Sequence, residues 1–228
     1  MEYKCIGGHT FDETLLGDGC VLDIGCRGFE FSKYFTDKNI KTYRIDPDEK
    51  VFEFAPYLHN LKFDMVLAIA SVAGETTYYP NGEATMIREV DPDPTYPHID
   101  QKYSKTCKTI TMDDLYKITG ENVDILKLDC EGGEYIILGE TFKPIPKQIT
   151  VEFHHHCVPD LHKKLYPAII ERLSKDYSMH NDVWEQRHGC GFNFWDTLFI
   201  RKINECGRCG HEIDFNQTSR DCWYCKKH

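Results

Sequence analysis

The sequence predicts an α/β fold, a doubly wound and mostly parallel sheet. Three observations carry that reading. Short β-branched or apolar runs alternate with longer amphipathic ones; several of them close on Asp or Gly; and one of them, Cys20–Ile24, leads directly into a turn with glycines at 25 and 28. Parallel strands cannot be joined by a tight hairpin and need a crossover element, so alternation of this kind is the mark of βα units.

Taken in order, strands are expected over 20–24, 42–45, 65–69, 123–128, 149–153 and 197–200, each rich in the residues that fit a pleated, buried surface. Helices are expected over 30–36, 49–57, 112–118, 133–138 and 167–175. The third has the clearest local signals: Thr111 can cap it, Asp114 follows three residues later, and Gly120 stands where a helix stops. Residues 80–108 break the alternation, with a polar stretch Asp91-Pro-Asp-Pro-Thr-Tyr-Pro-His98, and read as a long surface excursion. At 228 residues the chain suits one main domain, 1–203, and a short appendage, 204–228.

Composition excludes several classes. A hydrophobic content of 41% with 28% charged residues is globular, and no apolar stretch approaches the ~18 residues of a membrane span. The first residues lack a basic flank followed by an apolar run, so no signal peptide is expected and a soluble, cytoplasmic protein is. A net charge of -10 argues against duplex nucleic acid as a partner, because that affinity comes from Lys and Arg neutralising phosphates.

The turn after the first strand narrows the ligand. In Leu22-Asp23-Ile24-Gly25-Cys26-Arg27-Gly28 the glycines leave backbone that a ligand can approach. A dinucleotide fingerprint starting at Gly25 would need glycines where Arg27 and Glu30 stand, and no phosphate loop of the GxxxxGK type is present. Asp23 suits a cationic amino group, and Asp46, at the end of the next strand, suits a ribose diol. A ligand with an amino-acid end and an unphosphorylated ribose satisfies both, which is S-adenosylmethionine. Asp23, Gly25, Cys26, Gly28 and Asp46, with Ser71 beyond the third strand, are the expected cofactor residues.

A second block, Lys127-Leu-Asp129-Cys-Glu131-Gly132-Gly-Glu134, resembles the KxDxEGxE block of FkbM-type methyltransferases. The resemblance extends to Asp23 and Gly25, to Asp46-Pro47, to Ile110-Thr-Met-Asp113-Asp114-Leu115 and to Thr150-Val-Glu152-Phe153. The family usually has a glycine loop one residue longer and Glu rather than Asp at position 46. The resemblance implies a seven-stranded, Rossmann-like sheet, S-adenosylmethionine as methyl donor, and O-methylation of a sugar, glycan or small natural product.

Methyl transfer to a hydroxyl is an in-line displacement that needs positioning and a proton acceptor. Ligands bind beyond the carboxyl ends of parallel strands, so Asp129, Glu131 and His154 are the catalytic candidates. His154 or Asp129 is expected to take the proton, while Lys127 and Glu134 read as structural. A divalent cation shared by Asp129 and Glu131 would lower the hydroxyl pKa. Consecutive strand residues point to opposite faces, which argues against a metal on the run from His154 to Cys157.

Beyond residue 203 stand Cys206-Gly-Arg-Cys209 and Cys222-Trp-Tyr-Cys225, two CxxC pairs twelve residues apart. Four thiolates at that spacing close on one structural zinc, in a segment too short to bury a core of its own. The other seven of the eleven cysteines are scattered and odd in number, which fits a reducing compartment. This zinc-ribbon-like segment is expected to contact either a partner protein or the main domain. Two other readings of the chain stay open: a methyltransferase brought to RNA or protein by the ribbon, and a non-enzymatic adaptor.

Overall fold

The computed structural model describes residues 2–27, 29–53, 63–81, 84–90, 103–120, 122–141, 145–180, 195–202, 204–205 and 212–213. It opens with an antiparallel hairpin, β1 (Tyr3–Ile6) and β2 (His9–Asp12). Gly7 and Gly8 both have positive φ, the backbone that a two-residue hairpin turn requires. This hairpin was not expected from the alternation that follows it.

The central sheet contains β3 (Cys20–Ile24), β4 (Thr42–Asp46), β5 (Asp64–Val66), β10 (Val123–Leu128), β11 (Gln148–Phe153), β12 (Tyr177–His180) and β13 (Trp195–Arg201). Their spatial order is β12-β13-β11-β10-β3-β4-β5. Pairings from β11 through β10, β3 and β4 to β5 are parallel, and β13 runs antiparallel to both its neighbours, so the sheet is mixed. Among the described residues, five helices accompany it: α1 (Glu30–Asp37), α2 (Lys50–Glu53), α3 (Met112–Thr119), α4 (Gly133–Gly139) and α5 (Pro159–Asp176).

Strand alternation gives the two faces different chemistry. Leu22, Ile24, Leu126, Leu128, Ile149, Val151 and Phe153 enter one large core with Leu115, Ile137, Leu138, Ile169 and Leu173 from α3, α4 and α5. Val21 and Ile125 point the other way, into a smaller cluster with Phe11 of the hairpin and Phe31 and Phe35 of α1. Further along that second face, the same alternation delivers Asp23, Lys127 and Glu152 toward the carboxyl ends of the strands. Gln148 fastens the hairpin to the sheet by accepting from Asp12 N at 2.8 Å and donating to Asp12 O at 3.0 Å.

The structure departs from the sequence reading in three places. The run 65–69 is two strands, because the chain leaves the main sheet at Leu67, whose N–H donates to Asp46 O, and Ala68–Ile69 (β6) joins a second sheet. That second sheet has the order β6-β9-β7-β8, with β7 (Gly74–Asn81), β8 (Ala84–Ile87) and β9 (Lys105–Ile110). The excursion expected over 80–108 is therefore partly sheet; residues 91–102 lie outside the described residues. The last helix begins at Pro159 in its first turn and carries Pro167 inside it, where the sequence reading had it start. Thr111 caps α3 as expected, accepting from Asp114 N.

No described helix is long and apolar enough to cross a membrane. Asn204–Glu205 (β14) pairs antiparallel with Glu212–Ile213 (β15), on either side of the first CxxC in sequence. Cys206, Cys209, Cys222 and Cys225 themselves lie outside the described residues, as does Gly28.

Candidate active site

A cleft opens at the carboxyl ends of β3, β4 and β10. Among the described residues, Ile24, Ile45, Leu67, Ile69, Ile87 and Ile137 supply apolar wall. Arg27, Asp46, Asp129 and Glu131 supply charge. Leu67 and Ile69 reach the cleft because the chain switches sheets between β5 and β6.

The turn at Gly25 is set by the neighbouring strand. Its φ is 76°, and a Cβ built there would lie 1.8 Å from the backbone oxygen of Asp129. Glycine is thus needed for β3 and β10 to end side by side, with Asp129 N donating to Ile24 O at 3.1 Å. The second turn follows β10. Glu131 and Gly132 both have positive φ, and a Cβ on Gly132 would press on the Val158 methyls at 3.1–3.2 Å. Glu134 closes this turn by accepting from Gly132 N at 2.9 Å. Its other oxygen accepts from His154 N at 2.7 Å and stands 3.3 Å from His154 Nδ1.

The site is a chain of ion pairs running back from the cleft. Lys127 lies 3.1 Å from Asp23 and 3.3 Å from Asp129, and donates to Gly25 O. Burial disfavours its ammonium, but the two carboxylates hold its pKa well above the usual lysine range. Burial likewise opposes ionisation of Asp129, yet Lys127, His9 and His154 hold that carboxyl well below the usual range. For His154 burial favours the neutral ring, while Glu134, Glu131 and Asp129 overcome it and raise its pKa well above the ordinary value. Glu131 is raised by burial, and burial with the Asp129 charge pushes Glu152 up to about 8. Burial pushes Asp46 up to about 7, against the hydrogen bond from Asp48 N at 2.8 Å that favours its anion.

The residues singled out in the sequence separate into two groups. Gly25, Asp46, Asp129 and Glu131 line the cleft, and His154 stands behind them, 3.6 Å from Asp129 and 3.7 Å from Glu131. Asp23 is fully buried, its charge met by Lys127 and by the Ser32 hydroxyl, and does not reach the cleft wall. Cys26 is buried, and burial keeps its thiol neutral. Ser71 is exposed and bonds Glu89. The expected pairing of Asp129 with Glu131 around a cation is also altered: Glu131 faces His154 and the Cys157 thiol, 3.6 Å away. Among the described residues, the His/Cys/Asp/Glu atoms close enough to hold an ion belong to His9, Asp129 and Glu152.

His9 was missed entirely. It is 1% exposed, and its Nε2 lies 3.3 Å from Asp129 across 120 residues of sequence. The signal that would have found its strand is the Gly7-Gly8 pair between two short runs, a two-residue hairpin turn.

The model of the methyltransferase FkbM domain matches residues 25–194, most of the chain. This chain belongs to the FkbM methyltransferase family. No curated protein and no solved structure matches it. The cleft combines apolar walls with the carboxylates of Asp46, Asp129 and Glu131. The charged groups of this methyltransferase that the family block contributes, Lys127, Asp129, Glu131 and Glu134, all meet at one end of β10.

Proposed function

We propose that the methyltransferase uses S-adenosylmethionine and transfers its methyl group to a hydroxyl of a sugar, glycan or small natural product. The observation that carries this reading is Asp46, a 4%-exposed carboxylate at the end of β4 that faces the cleft. One of its oxygens accepts from Asp48 N, and a ribose diol would supply the donors that a desolvated carboxylate otherwise lacks. The isoleucine and leucine walls suit a flat purine, and the Arg27 guanidinium suits the carboxylate of an amino-acid end. Asp23 is already committed to Lys127, so the amino group is assigned to the Asp129 and Glu131 side.

Bound there, S-adenosylmethionine supplies a methyl carbon on a sulfonium, open to in-line displacement by an acceptor oxygen. The chain's part is to orient the acceptor and take its proton. Of the carboxylates that line the cleft near this point, Asp129 is engaged by His9 and Lys127, so Glu131 is assigned the proton. His154, which the sequence reading named with Asp129 as a proton acceptor, is assigned instead to positioning Asp129 and Glu131, because Glu134 and the neighbouring carboxylates favour its protonated ring. The four C-terminal cysteines are assigned a structural zinc. Their two CxxC pairs favour a second reading, in which that segment recruits a protein or RNA acceptor.

Calorimetric titration with S-adenosylmethionine and S-adenosylhomocysteine tests the cofactor. One-to-one binding is expected, weakened by about 10–100-fold in Asp46→Ala, since hydrogen bonds to a charged group are worth roughly 1.5–3 kcal/mol each. A folded sample that binds neither ligand would sink the proposal.

A further inference from the structure

We propose that His9, Asp129 and Glu152 form a binding site for a divalent cation of the Mn2+ class. The three side chains come from three separate elements, the hairpin strand β2, the end of β10 and the strand β11, and their ligand atoms all lie within 4.8 Å of one another. Ligand atoms on one such ion at about 2.1–2.2 Å can be no more than roughly 4.3 Å apart, so rotamer adjustments of a few tenths of an ångström close the shell. One imidazole with two carboxylates is a borderline-to-hard donor set, which suits Mn2+ and not the soft ions that thiolates select.

One further observation points to a missing ligand. Glu152 is largely buried, and its contact with His154 Nε2 is 3.8 Å, longer than a hydrogen bond.

Asp129 belongs both to this set and to the cleft wall, so an ion here borders the acceptor position. An acceptor hydroxyl bound to the ion would lose its proton more readily, with Glu131 beside it to receive that proton. This role rests on the proposed methyl transfer; binding of the ion does not, and the two are measured separately.

The test is electron paramagnetic resonance of the full-length chain titrated with Mn2+, with neither methyl donor nor acceptor present. The C-terminal thiols are too soft to compete for this probe. The expected result is one bound Mn2+ per chain with nitrogen hyperfine coupling from an imidazole. His9→Gln should abolish the coupling. Glu152→Gln should weaken binding by at least about tenfold, since loss of a supporting group alone already costs about 10–100-fold. Circular dichroism checks that each variant folds; should His9→Gln fail to fold, the wild-type nitrogen coupling and the Glu152→Gln titration decide. No binding below about 1 mM overturns the proposal. So does Mn2+ bound without nitrogen coupling, or coupling that survives His9→Gln.

Discussion

Gly25→Ala would separate the ends of β3 and β10, and its cost can be worked from the coordinates. The added Cβ would lie 1.8 Å from Asp129 O, 2.6 Å from Asp129 C and 3.4 Å from Cys130 N. All three are backbone atoms, so no side chain can rotate away. Holding alanine at a φ of 76° costs about 1–2 kcal/mol, and overpacking adds about 1–3 kcal/mol. Opening the gap removes the Asp129 N to Ile24 O hydrogen bond, another ~0.5–1.5 kcal/mol. The total, about 2.5–6.5 kcal/mol, is a large share of the ~5–15 kcal/mol stability of an ordinary domain. Urea unfolding followed by circular dichroism should show the midpoint fall by a corresponding amount. Gly139→Ala is the control: it sits at the end of α4 with nothing within 4 Å of its built Cβ, and should be neutral or stabilising by up to about 1 kcal/mol. If Gly25→Ala were within about 0.5 kcal/mol of wild type, the close approach of β3 to the Asp129 carbonyl would be refuted.

Two other outcomes follow from the buried charges. Lys127→Met strands Asp23 without its counter-ion and should cost about 3–5 kcal/mol, whereas Lys127→Met with Asp23→Asn should cost less than the sum of the single changes. Strict additivity in denaturant titrations would contradict the pairing. Asp46 titrates near 7 in the folded chain and near 3.9 when unfolded, so the folded state holds that proton more tightly. Its burial therefore costs stability progressively as pH rises from about 4, and the cost is complete above about 7. Ribose hydroxyls donate best to the anion, so S-adenosylhomocysteine should bind several-fold more tightly at about pH 8 than at about pH 6, and Asp46→Asn should lose that dependence. Calorimetry that found equal pH dependence in both proteins would remove Asp46 from the binding site.

Much of the main sheet was legible because the signals are local. The strands Cys20–Ile24 and Val123–Leu128 are mainly apolar runs, interrupted by Asp23, Asp124 and Lys127, and α3 carries its own cap and stop in Thr111 and Gly120. Asp46, Asp129 and Glu131 could be assigned to one cleft because residues at the carboxyl ends of adjacent parallel strands must be neighbours. The sequence alone also determined where glycine was needed, though not why. At Gly25 the reason is a backbone carbonyl more than a hundred residues away, and no local pattern encodes it. Tertiary structure decided the rest by pairing groups distant in the chain. It joined Lys127 to Asp23 and so withdrew Asp23 from the cleft. It set His154 against Glu134, which favours the protonated ring, and folded the hairpin over β11 so that His9 met Asp129. Charges of this kind take their protonation state from what surrounds them, and only the closed fold determines those surroundings.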